Sequence, residues 1–393
     1  MIIKDFLSDS RFALPQKWWD TDIKSQTVSE HLEERFKQYL SALRSLVPVE
    51  QDNFGEMIRL TQVVVDGLTC CMKAMLIGQR SKAYRIFRET CDEAQKGRYG
   101  FPLLRIPDRP YWFRARKSKI PLRDRGDLFH IPFDQRHKVA SQRYSVPGLP
   151  CLYFGTSLYA CWTELGCPPF ADLHFSRFQP TNIFDLKIVN LNFTLADLIE
   201  PEKPDQLHHE IDKRHEIEPC PDETLLGKII WWPLLAACSM MRKNVDAPFH
   251  EEYLFPQLFM EYITEHPEIH GVSYFCCKPD VHGSKSAPNA INELLVNVAI
   301  PVRTYQPGPY CRELQEMFHM TDPLSWQIAE SKLMSTIAGP DMISNGATFR
   351  ASVSCHSKYA HSLFNRIEMM TVERGELTQT MGPLRQGGEK SSP

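Results

Sequence analysis

A chain of 393 residues is long enough to bury one sizeable core or to divide into two or three domains. Hydrophobic residues make up 42% and charged residues 24%, the balance of a globular chain rather than a disordered one. A net charge of -3 excludes the global positive field of a nucleic-acid binder or a membrane-surface protein, so small molecules and proteins are the expected partners.

The opening MIIKDFLSDSRF turns polar after a few residues and predicts no secretory signal. From about Val28 to Ala94 the apolar residues recur at helical spacing. Leu32, Phe36, Leu40 and Leu43 form one stripe, and Leu60, Val63, Val64 and Leu68 another, with Pro48 between them. Residues 1–97 therefore predict a small helical region, offering a surface for docking or for a homo-oligomer. After Gly97 prolines and aromatics crowd the chain up to Pro150, with arginines interleaved, which predicts short strands joined by turns in an α+β domain. The alternation in Trp112-Phe113-Arg114-Ala115-Arg116 makes one side of a strand cationic.

The run from Arg143 to Leu165, RYSVPGLPCLYFGTSLYACWTEL, carries the densest chemistry. Pro147-Gly148 marks a turn, CLYFG a short strand, and Thr156 or Ser157 the N-cap of a helix. Leu158, Cys161, Trp162 and Leu165 share that helix's apolar face. At about 100° per residue, Glu164 lies roughly 110° from the middle of this stripe, pointing towards water or a cleft. By pattern alone Glu164 reads as a solvated helical glutamate, Arg143 as a surface arginine, and Tyr144 and Tyr153 as core or rim aromatics.

Ile183 to Phe193 predicts a strand, and Pro201 to Glu223 a polar surface excursion. His208, His209 and His215 in that excursion match no zinc spacing, and no metal site is expected. A buried helix is expected over Leu225–Met241. Its apolar run from Ile229 is too short for a bilayer and contains Pro233, so the chain reads as soluble and cytoplasmic. Pro256 suits the first turn of the next helix, and GVSYFCC (271–277) and ELLVNVAIPV (293–302) read as strands. The remainder to Val372 is mixed, and the tail GPLRQGGEKSSP is expected to be disordered. Twelve cysteines without a CxxC pair suit a reducing compartment. Dinucleotide-fold, P-loop and nucleophile-elbow motifs do not occur.

Taken together, these segments resemble the RES domain, named for its Arg, Glu and Ser. FRAR supplies the arginine strand. Arg143-Tyr144-Ser145 with Gly148, Pro150 and Tyr153 supplies the second element, and Glu164 the glutamate at the end of a helix. Glu252-Tyr253-Pro256-Gln257, Gly271-Val272-Tyr274 and a strand near Asn292 follow in the family's order, so the resemblance covers about Tyr99 to Val302. In one departure, Cys276 stands where the family has serine, with Ser273 three residues earlier. The resemblance implies an ADP-ribosyltransferase-like fold, with split sheets around a cleft, over residues 98–305. Residues 306–380 would then be an extension and 381–393 a tail. It implies NAD as substrate rather than cofactor, with Glu164 and Arg143 catalytic. Arg114, Arg116, Tyr144, Tyr153, Ser273 and Cys276 would contact the substrate. The implied reaction releases nicotinamide by hydrolysis or phosphorolysis. ADP-ribosyl transfer to a macromolecule, or non-catalytic NAD or nucleotide sensing, are the alternatives. Many family members are toxins paired with an antitoxin, so a cognate antitoxin protein is an implied partner.

Overall fold

The computed structural model of the protein describes residues 3–46, 51–96, 99–104, 111–182, 186–199, 221–278, 295–304, 308–336, 359 and 362–373. Its α-helices are α1 (Ile3–Leu7), α2 (Val28–Arg44), α3 (Gln51–Leu76), α4 (Arg80–Gln95), α5 (Leu158–Glu164), α6 (Pro221–Cys238) and α7 (Leu254–Glu265). Three more follow, α8 (Arg312–Met317), α9 (Trp326–Thr336) and α10 (Leu363–Glu373). The strands are β1 (Trp112–Lys117), β2 (Cys151–Gly155), β3 (Leu173–Pro180), β4 (Ile188–Leu191), β5 (Gly271–Phe275), β6 (Val296–Pro301), β7 (Phe318–Met320) and β8 (Leu324–Ser325). The fold is α+β with a helical N-terminal region. Among the described residues no helix is long and apolar enough to cross a membrane.

Two compact units emerge, each discontinuous in sequence. The first combines Met1–Asp108, Ser141–Val146 and Lys187–Asp280; the second combines Arg109–Ala140, Pro147–Leu186 and Val281–Pro393. This grouping cuts across linear boundaries at 97 and 305, because the N-terminal helices bury their apolar stripes against α6 and α7. The excursion expected at 201–223 falls almost wholly outside the described residues, as does the tail.

In the first unit, Thr27 caps α2 by accepting the Glu30 N–H, and Leu32, Phe36, Leu40 and Leu43 turn inward as their spacing predicts. Helix α6 is apolar all round and buried from Ile229 to Cys238. Pro233 within it has no N–H, so the Ile229 carbonyl one turn back loses its helical donor. The Tyr39 hydroxyl, from α2, donates to that carbonyl at 2.8 Å. Trp232 stacks on the Tyr39 ring at 4.1 Å and meets Phe12 edge-on at 5.3 Å. Strands β4 and β5 pair in parallel, Ile188 opposite Gly271. The strand expected from Ile183 is thus observed only over Ile188–Leu191, with 183–185 outside the described residues.

In the second unit the strands run in the order β6-β2-β1-β3-β7, all antiparallel, with β8 added on β3. Trp112, Phe154, Phe178 and Phe318 gather on one face of this sheet. The segment after residue 306, featureless by pattern, supplies α8, α9, α10, β7 and β8.

His31 in the first unit and His130 in the second are buried and kept neutral. His130 lies between the Ile131 carbonyl, 2.8 Å from Nδ1, and the Cys311 N–H, 2.8 Å from Nε2. One nitrogen must donate and the other accept, which only the neutral ring can do. Burial, helped by Arg114 and Arg136, lowers its pKa to about 4. Burial and then Arg35 lower His31 to about 4 as well. Since both folded values lie below the unfolded ~6.5, the unfolded chain binds protons that the native one refuses. The stabilisation is complete above pH ~6.5 and is lost as pH falls towards 4, by up to about 1.4 kcal/mol per pH unit for each ring. Urea midpoints should therefore decline between pH 7 and 5, with a shallower slope in His130→Gln. An equal slope would show that His130 is already neutral-indifferent in the fold.

Candidate functional site

Glu164 ends a strand-to-helix unit whose geometry follows from small residues. Strand β2 ends at Gly155, where an added Cβ would stand 2.8 Å from Cys161 Sγ, 3.0 Å from the Ser157 carbonyl and 3.1 Å from Ala160 Cβ. Only glycine lets α5 lie this close to the strand. Ser157 caps the helix by accepting the Ala160 N–H. Gly155→Ala should destabilise the protein by about 1–3 kcal/mol through overpacking, read as a lowered urea midpoint. An unchanged midpoint would mean that α5 can lift away without cost.

The same row of the sheet fixes the partner of Glu164. Phe113 of β1 lies opposite Gly155, and Gly155 lies opposite Asn297 of β6. Asn297 is buried, and its Nδ2 donates to Glu164 Oε1 at 2.7 Å. A hydrogen bond to an ionised acceptor is among the stronger ones, and here it orients the carboxylate. Helix α5 was expected to bury a single face, yet every residue from Leu158 to Thr163 is buried while Leu165 is exposed. The reason is that α10 covers its outer side: Phe364 packs on Tyr159 and Trp162 at 5.5 and 5.7 Å.

Arg114 and Arg116 alternate along β1 as predicted, opposite Ser176 and His174 of β3. Phe113–Gly155 is the one register pair between β1 and β2, and Arg114 Nη1 donates to the Tyr153 carbonyl at 2.9 Å. Burial, reinforced by the like charge of Arg116, lowers the pKa of Arg114 to about 10, so it stays cationic at neutral pH. Cys161 is within reach of charges of both signs. Burial first, then Glu368 and Glu164, push its thiol up to about 12, while Arg114 and a Gly155 backbone hydrogen bond pull the other way. Cys161 is thus a protonated packing residue, and its thiol feels both the predicted acid and the predicted cation.

The other predicted residues sit in the first unit, and all four are buried. Arg143 donates to the Cys238 and Met240 carbonyls at 3.1 and 3.0 Å, closing the C-terminus of α6, and its guanidinium lies 5.2 Å from the Tyr253 ring centre. Burial opposes its charge, but Cys277, Tyr253, Tyr144 and Tyr274 outweigh that effect and raise its pKa. Tyr144 packs on Tyr274 at 4.6 Å. Ser273 Oγ lies 2.7 Å from Asn192 Oδ1 and 3.3 Å from the Val189 carbonyl, tying β5 to β4, and Cys276 is fully buried just past β5. The structure therefore gathers Glu164, Arg114, Arg116 and Tyr153 in the second unit, and Arg143, Tyr144, Ser273 and Cys276 in the first.

The polar partners of α5 from distant segments, Asn297 and Glu368, escaped the sequence reading. Asn297 carried a signal: a polar side chain inside the apolar run LLVNVAIPV must find a buried partner. Among the described residues one surface hollow is lined by Lys37, Leu40, Ser41, Arg44 and Gln62, and another by Phe133, Asp134, Gly308 and Pro309. Neither includes a predicted site residue. No group of three or more metal-ligating side chains occurs among the described residues.

Over 324 residues the chain is 29% identical to a Bacillus subtilis (strain 168) protein named "Putative toxin YopC", a match spanning 82% of this chain and 68% of that relative. The match is longer than the stretch from 98 to 305, so it takes in part of the flanking regions too. No family model and no solved structure matches the chain.

Proposed function

We propose that this protein is a toxin-like enzyme that cleaves the nicotinamide–ribose bond of NAD, by hydrolysis or phosphorolysis, on an ADP-ribosyltransferase-like scaffold. The observation that carries the reading is the half-buried Glu164 carboxylate, oriented by Asn297 at the end of a helix that also feels the Arg114 charge. The similarity to the relative named "Putative toxin YopC" supports the toxin-like part of this reading. Breaking this bond develops positive charge on the ribose, which a fixed carboxylate stabilises without reorganising. The same oxygen atoms can accept a proton from the attacking water or align an attacking phosphate. Nicotinamide leaves as a neutral base, so no second carboxylic acid is needed, in contrast to ordinary glycosidases. Arg114 and Arg116 offer cationic donors to the pyrophosphate, and Tyr153 an aromatic edge to the nicotinamide. A cognate antitoxin protein and a cytoplasmic setting, where NAD is abundant, belong to the same reading.

The test is incubation of the purified full-length protein with NAD, followed by chromatography for nicotinamide. Release of nicotinamide with ADP-ribose, or with its phosphorylated form when inorganic phosphate is present, is the expected result. Label from NAD appearing on macromolecules would replace hydrolysis with transfer. NAD that is bound but returned intact would replace the enzyme with a sensor.

A further inference from the structure

Helix α5 has seven residues, too few to persist without outside contacts. The N–H groups of its first turn have no partners within the helix and must find acceptors elsewhere. Ser157 provides one. Another comes from a distant part of the chain: Glu368 of α10 accepts the Leu158 N–H at 2.6 Å, and the same oxygen accepts the Tyr359 hydroxyl at 2.6 Å. Glu368 is 9% exposed and Tyr359 7%, so both bonds are shielded from water. A carboxylate at this position is also favoured by the partial positive charge of a helix start. One turn before Glu368, Phe364 wedges against Tyr159, Trp162, Phe170 and Trp326. Ile367 beside it is fully buried.

We propose that α10 is a clamp on α5 and that Glu368 is a positioning residue for Glu164. The inference rests on the reading of Glu164 as the reactive carboxylate. The helix is pinned at both ends, by Glu368 at Leu158 and by Asn297 at Glu164, with Phe364 across its back. Helix α10 is thereby part of the apparatus that positions Glu164 rather than an appendage to it. Losing the Glu368 carboxylate frees the first turn of α5 and shifts Glu164 at the other end of the same short rod. Small misplacements of a reacting group are costly in rate.

Two measurements on Glu368→Ala, Glu368→Gln and Tyr359→Phe test this. In Glu368→Ala, amide exchange should accelerate across residues 157–165 while β1 and β3 exchange as in wild type. The kcat for NAD should fall by about 10- to 100-fold with KM nearly unchanged. Glu368→Gln keeps an acceptor oxygen and should recover most of the rate, and Tyr359→Phe, which removes one donor only, should stay close to wild type. Unchanged exchange at 157–165, or equal losses in the alanine and glutamine variants, would overturn the clamp. If Glu368→Ala does not fold, Phe364→Leu, which thins the contact of α10 with Tyr159 and Trp162, should accelerate exchange at 157–165, and unchanged exchange there counts against the clamp. Wild-type protein that leaves NAD intact would remove the functional reading alone, because the exchange measurement decides the clamp without it.

Discussion

On the proposed reading, Glu164→Ala should lower nicotinamide release by about 100-fold or more, a loss of at least ~2.7 kcal/mol of transition-state stabilisation, with the fold retained. The side chain is half-buried at the end of α5 and accepts a hydrogen bond from the Asn297 amide. Its removal leaves the buried Asn297 amide without that acceptor, so the urea midpoint should fall by an amount worth about 1–3 kcal/mol while far-UV circular dichroism changes little. The loss should appear in kcat, because on that reading the carboxylate would meet positive charge that exists fully only in the transition state. Glu164→Gln separates charge from shape: it retains a hydrogen-bonding side chain for Asn297 but not the anion, and should be nearly as impaired as alanine. Asn297→Ala keeps the anion and loses its orientation, so about a 10-fold loss is expected. If Glu164→Gln turned over NAD at the wild-type rate, the carboxylate would not be the reactive group.

Trp232→Ala destabilises the protein by about 3–5 kcal/mol, a large fraction of the 5–15 kcal/mol typical of folded proteins. Trp232 is fully buried, and its ring contacts two separate stretches at once. It stacks on Tyr39 of α2, meets Phe12 near the N-terminus, and donates from Nε1 to the Phe12 carbonyl at 3.3 Å. Truncation leaves a cavity lined by rigid aromatic neighbours and strands that carbonyl in an apolar setting. Trp232→Phe, which preserves the stack on Tyr39, should cost about half as much. Urea denaturation followed by circular dichroism measures both. A loss below ~1 kcal/mol for the alanine variant would mean that α2 and the N-terminal turn contribute little to holding α6. The same contacts bear on truncation: a chain beginning near Gly97 lacks Phe12 and Tyr39, and with them the hydroxyl that completes the helix around Pro233.

The strand CLYFG, the Ser157 cap, the helix ending at Glu164, the cationic alternation of β1 and the helices of the N-terminal region were all legible in the sequence. Each is written in neighbouring residues, by period, cap or turn. The roles of the charged side chains were not, because burial and partner come from segments far away in the chain. Arg143 meets the Cys238 carbonyl 95 positions on, Glu164 its amide 133 positions on, and Leu158 its carboxylate 210 positions on. No local pattern distinguishes an arginine that closes a distant helix from one that faces water. Only the folded chain, by bringing those partners together and excluding water from some of them, decided that Arg143 holds α6 and that Glu164 stands oriented at the end of α5.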